Sequence, residues 1–144
     1  MTTDDRLIYL LFTAQQKLRT YLNGNLVADS VKVTITQAGI LFLLRQQDGR
    51  TMTELSQIMN LDNSTITGLI DRMEKSGFVT RNSSPSDRRL SHIFITPRGQ
   101  EEANKAKVVI RRVNEEVKKG FSSGEIETFK SVLHSFFKKF NSGK

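Results

Sequence analysis

The run Thr53-Glu54-Leu55-Ser56-Gln57-Ile58-Met59-Asn60-Leu61-Asp62-Asn63-Ser64-Thr65-Ile66-Thr67-Gly68-Leu69-Ile70-Asp71-Arg72-Met73-Glu74-Lys75-Ser76-Gly77-Phe78-Val79 decides the fold. Its first third predicts a short helix starting at Thr53, with Leu55, Ile58 and Met59 on the inner face. Asn60-Leu61-Asp62 reads as a tight turn, and Asp62 or Asn63 caps a second helix. In that helix Ile66, Leu69, Ile70 and Met73 stand at i, i+3, i+4 and i+7, one apolar stripe. Gly77 supplies the left-handed residue that ends it. Beyond Gly77 the period changes. Phe78-Val79-Thr80-Arg81 and Leu90-Ser91-His92-Ile93-Phe94-Ile95 read as two strands, joined by the polar turn Asn82-Ser83-Ser84-Pro85-Ser86-Asp87. The result is two short helices followed by a hairpin with a basic tip.

Working outward, a helix from about Asp5 to Leu22 carries Leu7, Ile8, Leu11, Leu18, Tyr21 and Leu22 at helical spacing, and Asn23-Gly24-Asn25 weakens or kinks it. Thr36 caps a helix with Ile40, Leu41, Leu43 and Leu44, which Asp48-Gly49 stops. Downstream, Thr96 caps and Pro97 opens a long helix. Its residues Ala103, Ala106, Ile110, Val113 and Val117 form a stripe, and Gly120 ends it. Ser122 and Glu125 make an S-x-x-E capping box for a last helix bearing Ile126, Phe129, Leu133, Phe136 and Phe140. Five of the nine Phe lie in residues 121–144. These stripes are either intrachain core or the contact face of a dimer. A partner subunit is the natural sink for so much terminal aromatic surface.

Composition narrows the function. The chain has 144 residues, the size of one ordinary domain, with 37% apolar and 26% charged residues. Its formal charge is +7, which favours an acidic partner, nucleic acid being the commonest. Without Cys there is no disulfide framework, thiolate nucleophile or Cys-based zinc site, and two His exclude a three-His metal centre. No apolar run approaches the ~20 residues of a membrane span. Met1-Thr2-Thr3-Asp4-Asp5 lacks a signal peptide's basic start, so a soluble cytoplasmic protein is the expectation. The acid pairs Asp4-Asp5, Glu101-Glu102 and Glu115-Glu116 fall on predicted helix surfaces. No hydrolase, zinc-protease or phosphate-loop motif is present, so no enzymatic activity, metal or cofactor is expected.

Positive charge peaks around the hairpin, where Arg81, Arg88, Arg89 and Arg98 face one acid, Asp87. Two helices and a basic hairpin in this order are the layout of a winged helix-turn-helix. The second helix suits a major groove, presenting Ser64, Thr65, Thr67, Gly68, Asp71 and Arg72 outward. Hydroxyls at its start can bond bases or phosphates, and Gly68 lets the backbone lie close. An arginine-bearing hairpin tip can reach the adjacent minor groove. His92 and His134 read as packed or surface residues, and Met52, Met59 and Met73 as core.

At these residues the sequence resembles the MarR family. Thr53–Ser56 with Ser64–Val79 looks like its helix-turn-helix core, and Asp87-Arg88-Arg89 with Ile93, Ile95-Thr96 and Gly99 looks like its wing signature. The resemblance implies a mainly α fold with a small β-wing, dimerising through N- and C-terminal helices. It implies a pseudo-palindromic operator, usually repressed, and release by a small aromatic or phenolic ligand. Arg89 matches the family's minor-groove arginine, Asp87 the acid that braces it, and Arg88 a second phosphate or groove contact. Arg72 matches a position that holds phosphate or braces the wing. Gly68 stands where members often carry a long side chain, so one direct base contact is missing. The redox-sensing branch uses a Cys that this chain lacks.

The reading is therefore a single unit over residues 1–144, with dimerisation helices in 1–33 and 100–144 and a winged helix over 34–99. Double-stranded DNA would be met by Ser64, Thr65, Thr67, Gly68, Arg72, Asp87, Arg88 and Arg89. The subunits would meet through Leu7, Leu11, Ile126, Phe129, Leu133, Phe136 and Phe140. Ligand-binding residues are unassigned. Two rivals stand beside this regulator: a sequence-tolerant architectural DNA-binding protein, and a winged helix reused as a protein-interaction module.

Overall fold

The computed structural model describes residues 6–83 and 90–141. Among the described residues, six helices and three short strands follow in the order α1 (Leu7–Ala28), α2 (Ile35–Gln46), β1 (Arg50–Thr51), α3 (Met52–Met59), α4 (Asn63–Lys75), β2 (Val79–Asn82), β3 (His92–Ile95), α5 (Pro97–Lys118) and α6 (Ser123–Lys139). The chain forms two compact units, Met1–Ile110 and Arg111–Lys144. The first holds the helix-turn-helix and the sheet; the second holds the end of α5 and all of α6.

Side-chain caps set the starts of α2, α3, α4 and α6. Thr34, two residues before the expected Thr36, caps α2, because Gln37 sits at N3 and completes a capping box. Helix α3 begins at Met52, one residue before the expected Thr53, and Thr51 caps it with Glu54 in the same way. Helix α1 runs on through Asn23-Gly24-Asn25, where a weakening or kink was expected, to Ala28. Around Gly24, Asn25 Nδ2 donates to the Tyr21 carbonyl, and the Asn23 side chain accepts from the Ile35 amide at 2.9 Å. Ser122 and Glu125 form the predicted box at α6.

The core of the first unit is built where α2, α3, α4 and the sheet meet. Ile40, Leu41, Leu55, Ile66, Ile70 and Ile93 are each at most 1% exposed. Each such burial contributes roughly 1.5–3 kcal/mol against chain entropy. The α4 stripe Ile66, Leu69, Ile70 and Met73 is buried throughout. Ile58 departs from expectation: it is 50% exposed, and Ser56 takes the inward place, its hydroxyl donating to the Thr53 carbonyl.

The sheet is antiparallel in the order β1-β3-β2. Register pairs Val79 with Ile95 and Arg81 with Ile93. To the two strands expected from the sequence, Arg50–Thr51 adds a third, pairing with Ile93 and His92. Asp48 holds this edge, its carboxylate accepting from the Ile95 amide at 3.0 Å and the Gly49 amide at 3.2 Å.

Helix α5 is fastened to the end of α4. The Thr96 hydroxyl donates to the Gly77 carbonyl and accepts from the Gly99 amide, while the Thr96 amide donates to Phe78. At Gly99 a Cβ would collide with the Phe78 carbonyl and come within 2.8 Å of Ile95 Cγ1, so only glycine fits. Glu102, read as a surface acid, is instead 4% exposed and accepts from the Lys32 amide. Arg45 of α2 donates to Gln100 and Asn104 of α5. In the second unit no residue of α6 is buried.

Candidate nucleic-acid interface

The candidate reading surface is the outer face of α4. Asn60 adopts the left-handed conformation, φ 55°, and turns the chain from α3 into α4. The Asp62 carboxylate caps α4, accepting from the Thr65 amide at 2.7 Å and the Ser64 hydroxyl at 2.9 Å. The Thr65 amide, then the Thr65 and Ser64 side chains, hold Asp62 below the usual carboxylate range. An ionised Asp62 therefore occupies the place where an isolated helix N-terminus would attract a phosphate.

The three hydroxyls at the start of α4 are not equivalent. Ser64 donates to Asp62, and Thr67 Oγ1 donates to the Asn63 carbonyl at 2.8 Å. Both retain only acceptor capacity toward an outside group. Thr65 is exposed, and its side chain, like that of Ser64, is turned to the Asp62 carboxylate.

Gly68 and Arg72 form a second feature. A Cβ built on Gly68 would lie 3.6 and 3.9 Å from the two terminal guanidinium nitrogens of Arg72. The Arg72 head thus lies over the preceding turn, in the direction helical side chains lean. Arg72 is exposed, and no acid pairs with it among the described residues.

Arg81 behaves oppositely. It pairs with Asp71 and, at 3.7 Å, with Glu74, and its side chain is only 11% exposed. Bracing between α4 and β2 falls to Arg81, so the arginine cluster does not depend on one acid. Arg98 lies over the Phe78 ring, 5.6 Å from its centroid, a cation–π packing role. His92 Nδ1 donates to the Gly49 carbonyl at 2.8 Å and joins β3 to the edge loop, in keeping with a packed surface role. Asp87, Arg88 and Arg89 lie outside the described residues.

Apolar surface is concentrated elsewhere. Leu7 is 74%, Phe129 50% and Phe140 70% exposed, while Leu11, Ile126, Leu133 and Phe136 are half-buried. Phe137, absent from the expected contact set, is 72% exposed. Val117, Phe121, Glu125, Ile126 and Phe129 line a hollow of about 440 Å³ in the second unit. Among the described residues no group of His, Asp and Glu could hold a metal ion, and no helix is long and apolar enough to cross a membrane.

A tight helix pair followed by a strand pair under the second helix defines a winged helix-turn-helix protein. Comparison with known proteins gives the family. A family model described as MarR family matches residues 33–91. The HTH-type transcriptional regulator YsmB of Bacillus subtilis is 34% identical over 114 residues, covering 76% of this chain and 75% of the relative. The organic hydroperoxide resistance transcriptional regulator of Bacillus subtilis is 28% identical over 99 residues, 69% of this chain and 66% of its own length. The chain spans 59% to 66% of the length of several relatives it matches. Among solved structures, CouR from Rhodococcus jostii bound to p-coumaroyl-CoA has a TM-score of 0.78 at 26% identity, covering 94% of each chain. The repressor CouR bound to a 23-mer DNA duplex has a TM-score of 0.82 at 24% identity, covering 92% of this chain and 93% of that one. The chain belongs to the MarR family of transcription regulators.

Proposed function

We propose that this chain is a DNA-binding transcriptional regulator that represses as a homodimer on a pseudo-palindromic operator. One observation carries the reading: α4 is capped, packed and braced on its inner side while Thr65 and Arg72 stay exposed outside and Gly68 between them is half-buried. Ser64 and Thr67 serve as acceptors beside them, and Arg88 and Arg89, with Asp87 bracing, supply the wing contact. Residues 34–99 form the DNA-binding part. Residues 1–33 and 100–144 dimerise through Leu7, Leu11, Ile126, Phe129, Leu133, Phe136 and Phe140, whose exposure or half-burial supports the assignment. A small aromatic or phenolic effector releases the DNA, a proposal supported by the p-coumaroyl-CoA bound in CouR. A tenfold loss of DNA affinity needs only about 1.4 kcal/mol of coupling between the two sites.

Selection of bound duplexes from a random pool at physiological salt tests this reading. A two-fold dimer selects an inverted repeat with half-sites about one helical turn apart. A steep salt slope with no selected motif would instead establish the architectural rival. Absence of salt-dependent binding would establish the protein-interaction rival.

A further inference from the structure

We infer that Arg72, lying across the bare Gly68, is the side chain that reads a guanine in each half-site. This rests on the DNA-binding reading above and deepens it.

Three observations converge. Thr65, Gly68 and Arg72 stand at i, i+3 and i+7, a single ridge along the outside of α4. The middle of that ridge has no side chain, and the Arg72 guanidinium occupies the space, 3.6 Å from where a Cβ would begin. The head group is thereby carried one turn toward the start of α4, the end that enters deepest into a groove. Finally, the acids beside it are already engaged: Asp71 and Glu74 face Arg81 of β2. Asp71 is one residue from Arg72, about 100° around the helix, so the ion pairs lie on the flank away from the ridge. Arg72 keeps its charge and its donors without an internal partner among the described residues.

The chemistry selects the base. A guanidinium offers a planar fork of N–H donors, and guanine presents O6 and N7 side by side in the major groove as a matching pair of acceptors. Lysine carries the same charge without the fork. Thr65, one turn closer to the helix start, presents its methyl group to the neighbouring base pair.

The experiment compares duplexes selected by the native chain, Arg72→Lys and Arg72→Ala, with thermal unfolding of each to verify folding. Arg72 is exposed and has no partner among the described residues, so both variants are expected to fold as the native chain does. The native motif contains one strongly preferred G·C pair per half-site. Arg72→Lys loses that preference by about tenfold or more, ~1.4 kcal/mol, while the salt dependence stays the same. Arg72→Ala loses the same preference and also lowers the salt slope by about one unit. If Arg72→Lys retains the native motif, or Arg72→Ala weakens all duplexes equally, Arg72 is a phosphate contact and the inference is overturned alone. If the native chain selects no motif, the DNA-regulator reading falls, and this inference with it.

Discussion

Asp62 is a single carboxylate on which the start of the recognition helix depends. Folding holds it ionised through the Thr65 amide, and Glu54 is likewise held below its usual range, first by the Thr51 amide. A group stabilised in its charged form contributes fully above the unfolded carboxylate range and loses that contribution as pH falls through the folded value. Acid titration of stability should therefore show a loss on the acid side that Asp62→Asn reduces, since asparagine still caps but does not titrate there. Equal acid slopes for the two proteins would contradict this. The neighbouring hydroxyls separate by the same geometry. Thr65→Ala should alter base preference by up to ~1–3 kcal/mol if its side chain meets a base edge. Ser64→Ala, which removes no methyl group and whose hydroxyl is turned to Asp62, should alter preference less; selected motifs from both variants decide. That these positions face outward was legible from the apolar stripe of Ile66, Leu69, Ile70 and Met73. Which group each hydroxyl bonds was not, because periodicity orients a side chain without saying where its proton points.

At the level of elements, caps and close approaches set the boundaries. The helix pair, the Gly77 stop and the Thr96-Pro97 start were legible because each combines an apolar period with a residue of restricted backbone. The shift from Thr36 to Thr34 was harder: two threonines stand two residues apart, and Gln37 makes the reciprocal bond only with the first. Strand β1 has two residues, too few for a period of two to show. Arg81 gains its partners because the chain reverses at Gly77 and lays β2 beside α4, a proximity absent from sequence spacing. Two glycines then make opposite predictions. Gly99→Ala forces a methyl into the Phe78 carbonyl and should cost about 1–3 kcal/mol or more in urea unfolding. Gly24→Ala, inside α1 with nothing within 4 Å, should raise stability by roughly 1 kcal/mol. A neutral Gly99→Ala would show that α5 does not seat against the end of α4 as described.

For the whole molecule, the exposed apolar surface and the net charge of +7 address different partners. Phe136→Asp combined with Phe140→Asp should give monomers that lose operator binding, measured by sedimentation and by titration against the selected duplex. Monomers that keep full operator affinity would remove the dimer from the mechanism. The terminal helices announced an uncovered face through their Phe spacing, but a single chain does not contain its cover. The bare position on the outer ridge of α4 has a different bearing, on descent. A new side chain at Gly68 meets only the movable tip of Arg72, whereas one at Gly99 meets backbone. After gene duplication, a copy could therefore change its target site by substitutions at 68 while every packed contact in the first unit stayed intact. Divergence of regulatory networks would then proceed at one residue, uncoupled from any loss of folding.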